Sequence, residues 1–531
     1  MASSADKKKS NGVERRDAGL RSLDHYRKTL PHWRYKPRQM ILPIVRFETP
    51  YLAWFQEKVR TPTLDTYFAF TANLGTHTFF TIFIPLLFWC GYARFGHAIV
   101  HLLASGVFFS GFMKDLLCLP RPLSPPLQRI SMSESAALEY GFPSTHSTNA
   151  VSVATYILFL LRSPDSTLSA RTTLMFEGLT YLYVCSILIG RLYCGMHGFL
   201  DVIVGSTMGI LITYFQCTYG DAYDDHILSG SAKDVFLVAL VILALVRIHP
   251  EPADDCPCFD DSVAFAGVLL GEAVAHWHFG QASSFWDLPY PSTAPYRIEY
   301  MGWPRTILRL CIGVLMVFAW REIMKPSLLQ ILPPIFRALE KAGLDLPRRF
   351  FTKASEYKNI PAHLHDHDVL PDFSEIPSIL STIRRRRAIS VGPQSEADAY
   401  ETLAYREKRR HDNLADGGTA PPAAEADHKH TLYNHSKIDE YEHMMGTGSP
   451  CLPPTGATTS DVDTTPLNQR TSPENDVEEF TEAELFSRIA KPRVRYDVEV
   501  VTKLIVYSGI SFIVIEAAPI LFSMTGLSVQ K

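Results

Sequence analysis

The sequence predicts an all-α polytopic membrane protein of about nine spans with a long disordered loop, and three observations carry that prediction. Apolar residues concentrate in runs such as Thr78 to Cys90, Ile99 to Phe112 and Val235 to Val246, in a chain of 531 residues that is only averagely hydrophobic overall. Polar clusters stand at the ends of several of these runs rather than between independent cores. From about 352 to 490 the chain turns to Ser, Thr, Pro, Asp, Glu and Gly, a composition that cannot bury enough apolar surface to offset its chain entropy.

A spanning helix needs about 20 mainly apolar residues. The stretches that approach this lie at roughly 68–91, 97–117, 147–162, 173–191, 199–217, 234–248, 263–280, 305–322 and 502–524. The third and sixth are short, and flanking residues or local bilayer thinning would complete them. Residues 40–57 are apolar but broken by Pro43, Arg46, Glu48 and Pro50, which fits an interfacial helix better than a span. The N-terminal stretch 1–35 is charged and is expected, like 352–490, to lack a core. With Lys7, Lys8, Lys9, Arg15 and Arg16 and no apolar core or cleavage site, it does not read as a signal peptide, so insertion is expected to rest on the internal spans. The expected organisation is a polar tail with an interfacial segment over 1–64, a membrane-embedded core over 65–325, a mostly disordered polar loop over 326–495, and a last transmembrane helix with its tail over 496–531.

A formal net charge of -4 excludes an electrostatic nucleic-acid binder as the default reading, so no nucleic-acid partner is expected. The nine cysteines are scattered, several within apolar runs (Cys90, Cys185, Cys311), and no disulfide framework is read from them. Cys256 and Cys258, beside Asp254, Asp255, Asp260 and Asp261, lack the second ligand pair of a zinc site and read as an acidic loop. Arg384 to Arg387, ahead of Ser390, read as a solvated charge run.

Chemistry concentrates between residues 114 and 201, at helix ends where ionisable groups are costly unless used. Lys114 to Arg121-Pro122 closes the second stretch, Pro143-Ser144-Thr145-His146 opens the third, and Arg191 to His197 and Asp201 links the fourth to the fifth. The two helices between the first and last cluster cross and return, so all three clusters emerge on one membrane face. A phosphate monoester dianion calls for several charge-assisted hydrogen bonds. Lys114, Arg121 and Arg191 supply three cations from three helix ends, and Ser144 and Thr145 begin a helix whose free N–H groups form an anion site. His197 and Asp201 stand four apart; on one helical face the carboxylate would accept from Nδ1–H and leave Nε2 to attack phosphorus. His146, across the pocket, would protonate the departing alkoxide and then activate water. The scheme requires no metal and no cofactor, because cations and helix amides carry the developing charge. A transporter or scaffold that bound phosphate without turning it over would not need a histidine–aspartate pair.

The order K-x6-R-P, P-S-x-H, R-x5-H-x3-D between hydrophobic helices resembles the type-2 phosphatidate phosphatase superfamily, which includes lipid phosphate phosphatases, glucose-6-phosphatase and the vanadium haloperoxidases. The resemblance covers roughly residues 65–325, and the wording KDLLCLPRPLSPP, YGFPSTHS and GMHGFLDV is closer to the sphingosine-1-phosphate phosphatase branch, of a fungal kind. It implies a helical-bundle core of the type-2 lipid phosphatase/haloperoxidase kind in the endoplasmic reticulum membrane, a lipid substrate drawn from the bilayer, and hydrolysis of sphingoid-base phosphates without a metal. It implies Lys114, Arg121, Ser144, Thr145 and Arg191 as phosphate-binding, His146 as the acid, and His197 with Asp201 as the nucleophilic pair. Phosphatidate or a sugar phosphate is the competing substrate within the superfamily. Two positions depart from the pattern: Thr145 stands where glycine is common, and Gly190 where serine is, which removes one hydroxyl donor to phosphate.

The resemblance implies a luminal active site, whereas the positive-inside tendency would place Lys7 to Arg16 and Lys491, Arg493 and Arg495 in the cytosol. Three resolutions stay open: residues 40–57 cross, 263–280 (with Glu272, His276 and His278) is re-entrant, or the charge tendency is overridden. Asn434-His435-Ser436 is a glycosylation sequon within the long segment.

Overall fold

The structure, a computed structural model, describes residues 18–20, 23–73, 77–124, 126–130, 139–164, 166, 168–286, 296–344, 348–360 and 494–528. The sequon at Asn434, the run Arg384 to Arg387 with Ser390, and nearly all of the expected disordered segment lie outside the described residues. The described chain is helical: α1 (Leu23–Thr29), α2 (His32–Val59), α3 (Pro62–Asn73), α4 (His77–Trp89), α5 (Ala93–Leu117), α6 (Thr145–Leu161), α7 (Ala170–Tyr193), α8 (Phe199–Ser229), α9 (Ala232–Ile248), α10 (Cys258–Trp286) and α11 (Ile298–Lys341). Two short strands follow, β1 (Phe351–Thr352) and β2 (Arg495–Tyr496), paired in parallel, and then α12 (Val498–Phe512) runs through a π-helical turn, Ile513–Ala517, into α13 (Ala518–Met524). Among the described residues, four helical stretches are long and apolar enough to cross a membrane: Ala93–Leu117, Ala170–Tyr193, Phe199–Ser229 and Val498–Met524.

The helix ends are written in the sequence. α5 stops where Cys118 adopts the left-handed conformation (φ 51°), two residues before Pro120. α6 is N-capped by Ser144, whose hydroxyl accepts from the Ser147 N–H, and α7 by Ser169, which accepts from Thr172. α8 lies close against α6 because it presents Gly205 and Gly209 there; a Cβ on either would stand 2.6 Å from the Ser144 carbonyl oxygen or 2.5 Å from that of Thr148. The main apolar core gathers Phe88, Trp89, Leu102 and Leu103 with Val506, Ile510 and Phe522 of the C-terminal helices, and Trp89 Nε1 donates to the Val514 carbonyl at 3.1 Å.

Several expectations need correction. Residues 18–35 are not coreless: Tyr26 is fully buried, and Arg34 and Arg38 reach the C-terminal end of α5. Arg34 Nε donates to the Leu116 carbonyl at 2.9 Å, Arg38 Nε donates to that of Cys118 at 3.2 Å, and the Arg38 guanidinium stacks 3.6 Å over the Tyr26 ring. Cationic side chains satisfy the carbonyls a helix leaves open at its C-terminus, so a polar sequence gains an ordered place. The boundary at 325 falls inside α11, which continues to Lys341 through Pro326, Pro333 and Pro334. The two ends of the polar segment meet at the β1–β2 pair.

The acidic loop folds inward, with Asp254 and Asp260 buried. Asp254 accepts from Tyr26 Oη at 2.8 Å, Tyr140 Oη at 3.0 Å and the Gly19 N–H at 2.9 Å, and folding this turn inward brings Cys256 and Cys258 together as a disulfide where none was expected. α10 is one continuous helix, Cys258–Trp286. Its Glu272 is held inside the bundle by His97 Nδ1 at 2.5 Å and His101 Nε2 at 3.0 Å, which accounts for polar residues in an apolar stretch.

α2 spans 40–57 as one helix despite Pro37, Pro43 and Pro50. Its successive turns touch the ends of three others: Arg34 the end of α5, Glu48 the start of α8, and Gln56 Nε2 the Tyr193 carbonyl closing α7, at 2.7 Å. α2 therefore runs across one end of the bundle. That end carries the three polar clusters.

Candidate active site

Each cluster occupies a break in a helix. Lys114 sits in the last turn of α5 and is buried. Arg121 follows in the connection after it, His146 is the second residue of α6, Arg191 lies in the last turn of α7, and His197 precedes α8. Arg121 joins the first cluster to the third: Nη1 donates to the Met196 carbonyl at 2.8 Å and lies 3.3 Å from His197 Nε2. His197 Nδ1 lies 2.9 Å from the Gly141 carbonyl oxygen, which can only accept. These two contacts fix the tautomer: Nδ1 carries the proton, and the Nε2 lone pair faces the Arg121 guanidinium. Burial, then the charges of Arg121, Lys114, Arg191 and His146, hold the His197 pKa well below its ordinary value, so the ring is neutral. Burial also lowers Arg121, to about 10, which leaves it cationic at neutral pH.

Asp201 departs from the expected geometry. The helix begins at Phe199, so His197 stands before it and does not share a helical face with Asp201. The carboxylate reaches back to the Gly198 N–H at 2.8 Å, and its nearer oxygen is 3.6 Å from His197 Nδ1, beyond hydrogen-bonding range. Asp201 thus caps α8, and the Gly141 carbonyl accepts the Nδ1–H hydrogen bond. Ser144 departs as well. Its N–H donates to the Asp201 carbonyl at 3.1 Å, and its hydroxyl is engaged by Ser147 at 2.9 Å, so its polar groups are committed to the scaffold. Thr145 pairs through Oγ1 with Ser110 Oγ at 2.8 Å and opens the first turn of α6, where helix N–H groups point out of the helix end. Arg191 is buried in the last turn of α7, and its Nε has no hydrogen-bond partner among the described residues. At Gly190 a Cβ would lie 3.0 Å from Phe68 Cδ1, so the position common for serine is narrowed here by the α3 ring.

Two carboxylates that the sequence did not single out complete the site. Glu48 of α2 accepts from the Leu200 N–H at 2.9 Å, at the start of α8, in the space left by Gly198, where a Cβ would stand 2.1 Å from Glu48 Oε2. Glu139 Oε2 bridges two of the cations, 3.0 Å from Lys114 Nζ and 3.4 Å from Arg121 Nη2. The signal for Glu48 was an acid in the middle of an apolar stretch, and for Glu139 an acid four residues before Pro143.

The PAP2 superfamily profile matches residues 95–222, which hold all three clusters. Over 312 residues, 59% of this chain and 74% of the relative, the chain is 40% identical to a dihydrosphingosine 1-phosphate phosphatase of Schizosaccharomyces pombe. A dihydrosphingosine 1-phosphate phosphatase of Saccharomyces cerevisiae is 32% identical over 59% of this chain and 75% of its own. Sphingosine-1-phosphate phosphatase 2 of Homo sapiens is 26% identical over 54% of this chain and 73% of its own. The chain belongs to the PAP2 superfamily, and within it to the sphingosine-1-phosphate phosphatase branch. No solved structure matches it.

Proposed function

We propose that the chain hydrolyses sphingoid long-chain-base 1-phosphates through a phosphohistidine on His197. The observation that carries the reading is the His197 ring held with Nδ1–H donating to the Gly141 carbonyl and Nε2 directed at Arg121. The names of the relatives supply the substrate class.

In this mechanism the phosphoryl group lies between Lys114, Arg121, Arg191 and the first-turn amides of α6. His197 Nε2 forms a bond to phosphorus as the bond from phosphorus to the alkyl oxygen breaks. His146 gives the departing alkoxide its proton. It then takes one from water, whose oxygen attacks phosphorus as the phosphorus–nitrogen bond breaks, releasing inorganic phosphate. Asp201 positions His197 by capping the helix that follows it. No metal enters the scheme, because the three cations meet the charge of the transferred group.

The chain is a multi-pass membrane phosphoric monoester hydrolase, and nine crossings follow if α3 with α4, each of α5 to α11, and α12 with α13 pass in turn. On that count the pocket shares one side with α1 and α2, and we assign that side to the lumen of the endoplasmic reticulum. A substrate panel tests the reading: purified protein in mixed micelles should hydrolyse dihydrosphingosine 1-phosphate in preference to phosphatidate and a sugar phosphate. Preference for either competitor would overturn the substrate assignment.

A further inference from the structure

Glu139 is an acid in a pocket built for a dianion. It lies on the rim, with its side chain 22% exposed, and Oε2 contacts both Lys114 Nζ and Arg121 Nη2. A carboxylate there lowers the attraction for any phosphate monoester and repels one directly. A pocket selecting only phosphate would be better without it. A sphingoid-base 1-phosphate, however, carries an ammonium on the carbon next to the phosphate ester carbon, placing the nitrogen about 4–5 Å from phosphorus by ordinary bond lengths. Phosphatidate has no such cation.

We propose that Glu139 is a specificity-determining residue that receives the ammonium of the substrate while Lys114 and Arg121 receive its phosphate. This rests on the phosphatase reading above and deepens it. Before binding, Glu139 is paired with the two cations. On binding, the phosphate oxygens take over Lys114 and Arg121, and the ammonium takes over Glu139, so no charge is left buried alone. A phosphate ester without the ammonium strands the carboxylate beside a dianion. The pocket therefore contains both an attraction for the amine and a repulsion against its absence.

The test compares dihydrosphingosine 1-phosphate with its N-acetyl derivative, which keeps the chain and phosphate but loses the positive charge, on the purified full-length protein and Glu139→Gln. Wild type should favour the free amine in kcat/KM. Glu139→Gln should lower kcat/KM for the amine by roughly tenfold to a hundredfold, mainly through KM, and raise it for the acetylated compound, so that the ratio collapses. Loss of both activities by one factor, with the ratio unchanged, would overturn the proposal in favour of a structural role. Glu139→Asp keeps the charge and should keep a reduced preference. If Glu139→Gln does not fold, a wild-type ratio near one, or a folded Glu139→Asp without preference, overturns the proposal. Wild type that hydrolyses phosphatidate but neither long-chain-base compound would instead overturn the substrate reading on which it rests.

Discussion

His197 and Gly141 stand in a fixed relation: the imidazole Nδ1 donates to the Gly141 carbonyl oxygen at 2.9 Å, from a loop 56 positions earlier in the chain. A backbone carbonyl can accept but cannot be protonated at working pH, so the ring is locked with its lone pair on Nε2. A carboxylate in that place would add basicity as well as orientation. Here orientation is local and rigid, and the nearest carboxyl oxygen, on Asp201, stands 3.6 Å from Nδ1.

Replacing Asp201 by Asn should accordingly do limited damage. The amide oxygen can still cap Gly198, and Nδ1–H still donates to the Gly141 carbonyl. The expected loss in kcat is about tenfold, against the ~10⁴-fold loss when a hydrolytic-triad aspartate that bonds its histidine is changed to Asn. Steady-state kinetics on the purified variant decide it, and a loss near the larger figure would show that Asp201 bonds the ring during turnover.

Glu48 should matter to the same histidine through the start of α8, where it accepts from the Leu200 N–H. Glu48→Ala removes the acceptor for the Leu200 N–H, and an N-terminal cap is worth about 1–2 kcal/mol. The variant should unfold at lower temperature and turn over more slowly, with KM little changed. Glu48→Gln keeps a carbonyl acceptor and should recover most of the stability. Equal melting temperatures for wild type and Glu48→Ala would remove Glu48 from the support of α8.

Stability should fall as pH drops below about 6.5, the pKa of an unfolded histidine. His197 and His249 both lie in connections between helices and are buried; burial, then nearby cations, holds the first well below its ordinary value and lowers the second to about 3. With folded pKa values below unfolded ones, the unfolded chain binds more protons in this window. Their contribution is complete above pH 6.5 and lost at up to about 1.4 kcal/mol per pH unit for each group as acid is added. Melting temperatures of wild type and His249→Gln from pH 7.5 to 5 test this. The variant should show the shallower slope, and parallel curves would contradict it.

How much of this was legible in the sequence follows from where the constraints lie. Lys114, Arg121, His146, Arg191 and His197 stand at helix ends in short motifs, so spacing alone assigned them to one face, and the structure brings Arg121 within 3.3 Å of His197. Glu48 was not legible because its partner, Leu200, is 152 positions away and no local pattern joins them. The Asp201 geometry was misjudged for a different reason. A four-residue spacing implies one helical face only if the helix already includes the first residue, and here it starts two residues later. The order of residues 18–35 was hidden because their stabilising groups are arginines directed at carbonyls of α5, not an apolar stripe.

Removal of divalent metal should leave turnover in place. Lys114, Arg121 and Arg191 already supply three positive charges to the phosphate, and the scheme routes no step through an ion. Activity measured after extensive dialysis against EDTA should match the untreated enzyme. A loss restored by magnesium would place a metal in the reaction.

The central claim is that His197 forms a covalent bond to phosphorus. Brief incubation with radiolabelled dihydrosphingosine 1-phosphate, followed by rapid denaturation at alkaline pH, should trap an acid-labile phosphoprotein in wild type and none in His197→Ala, which should also lose hydrolysis. Label retained by His197→Ala, or hydrolysis persisting in that variant, would contradict the account.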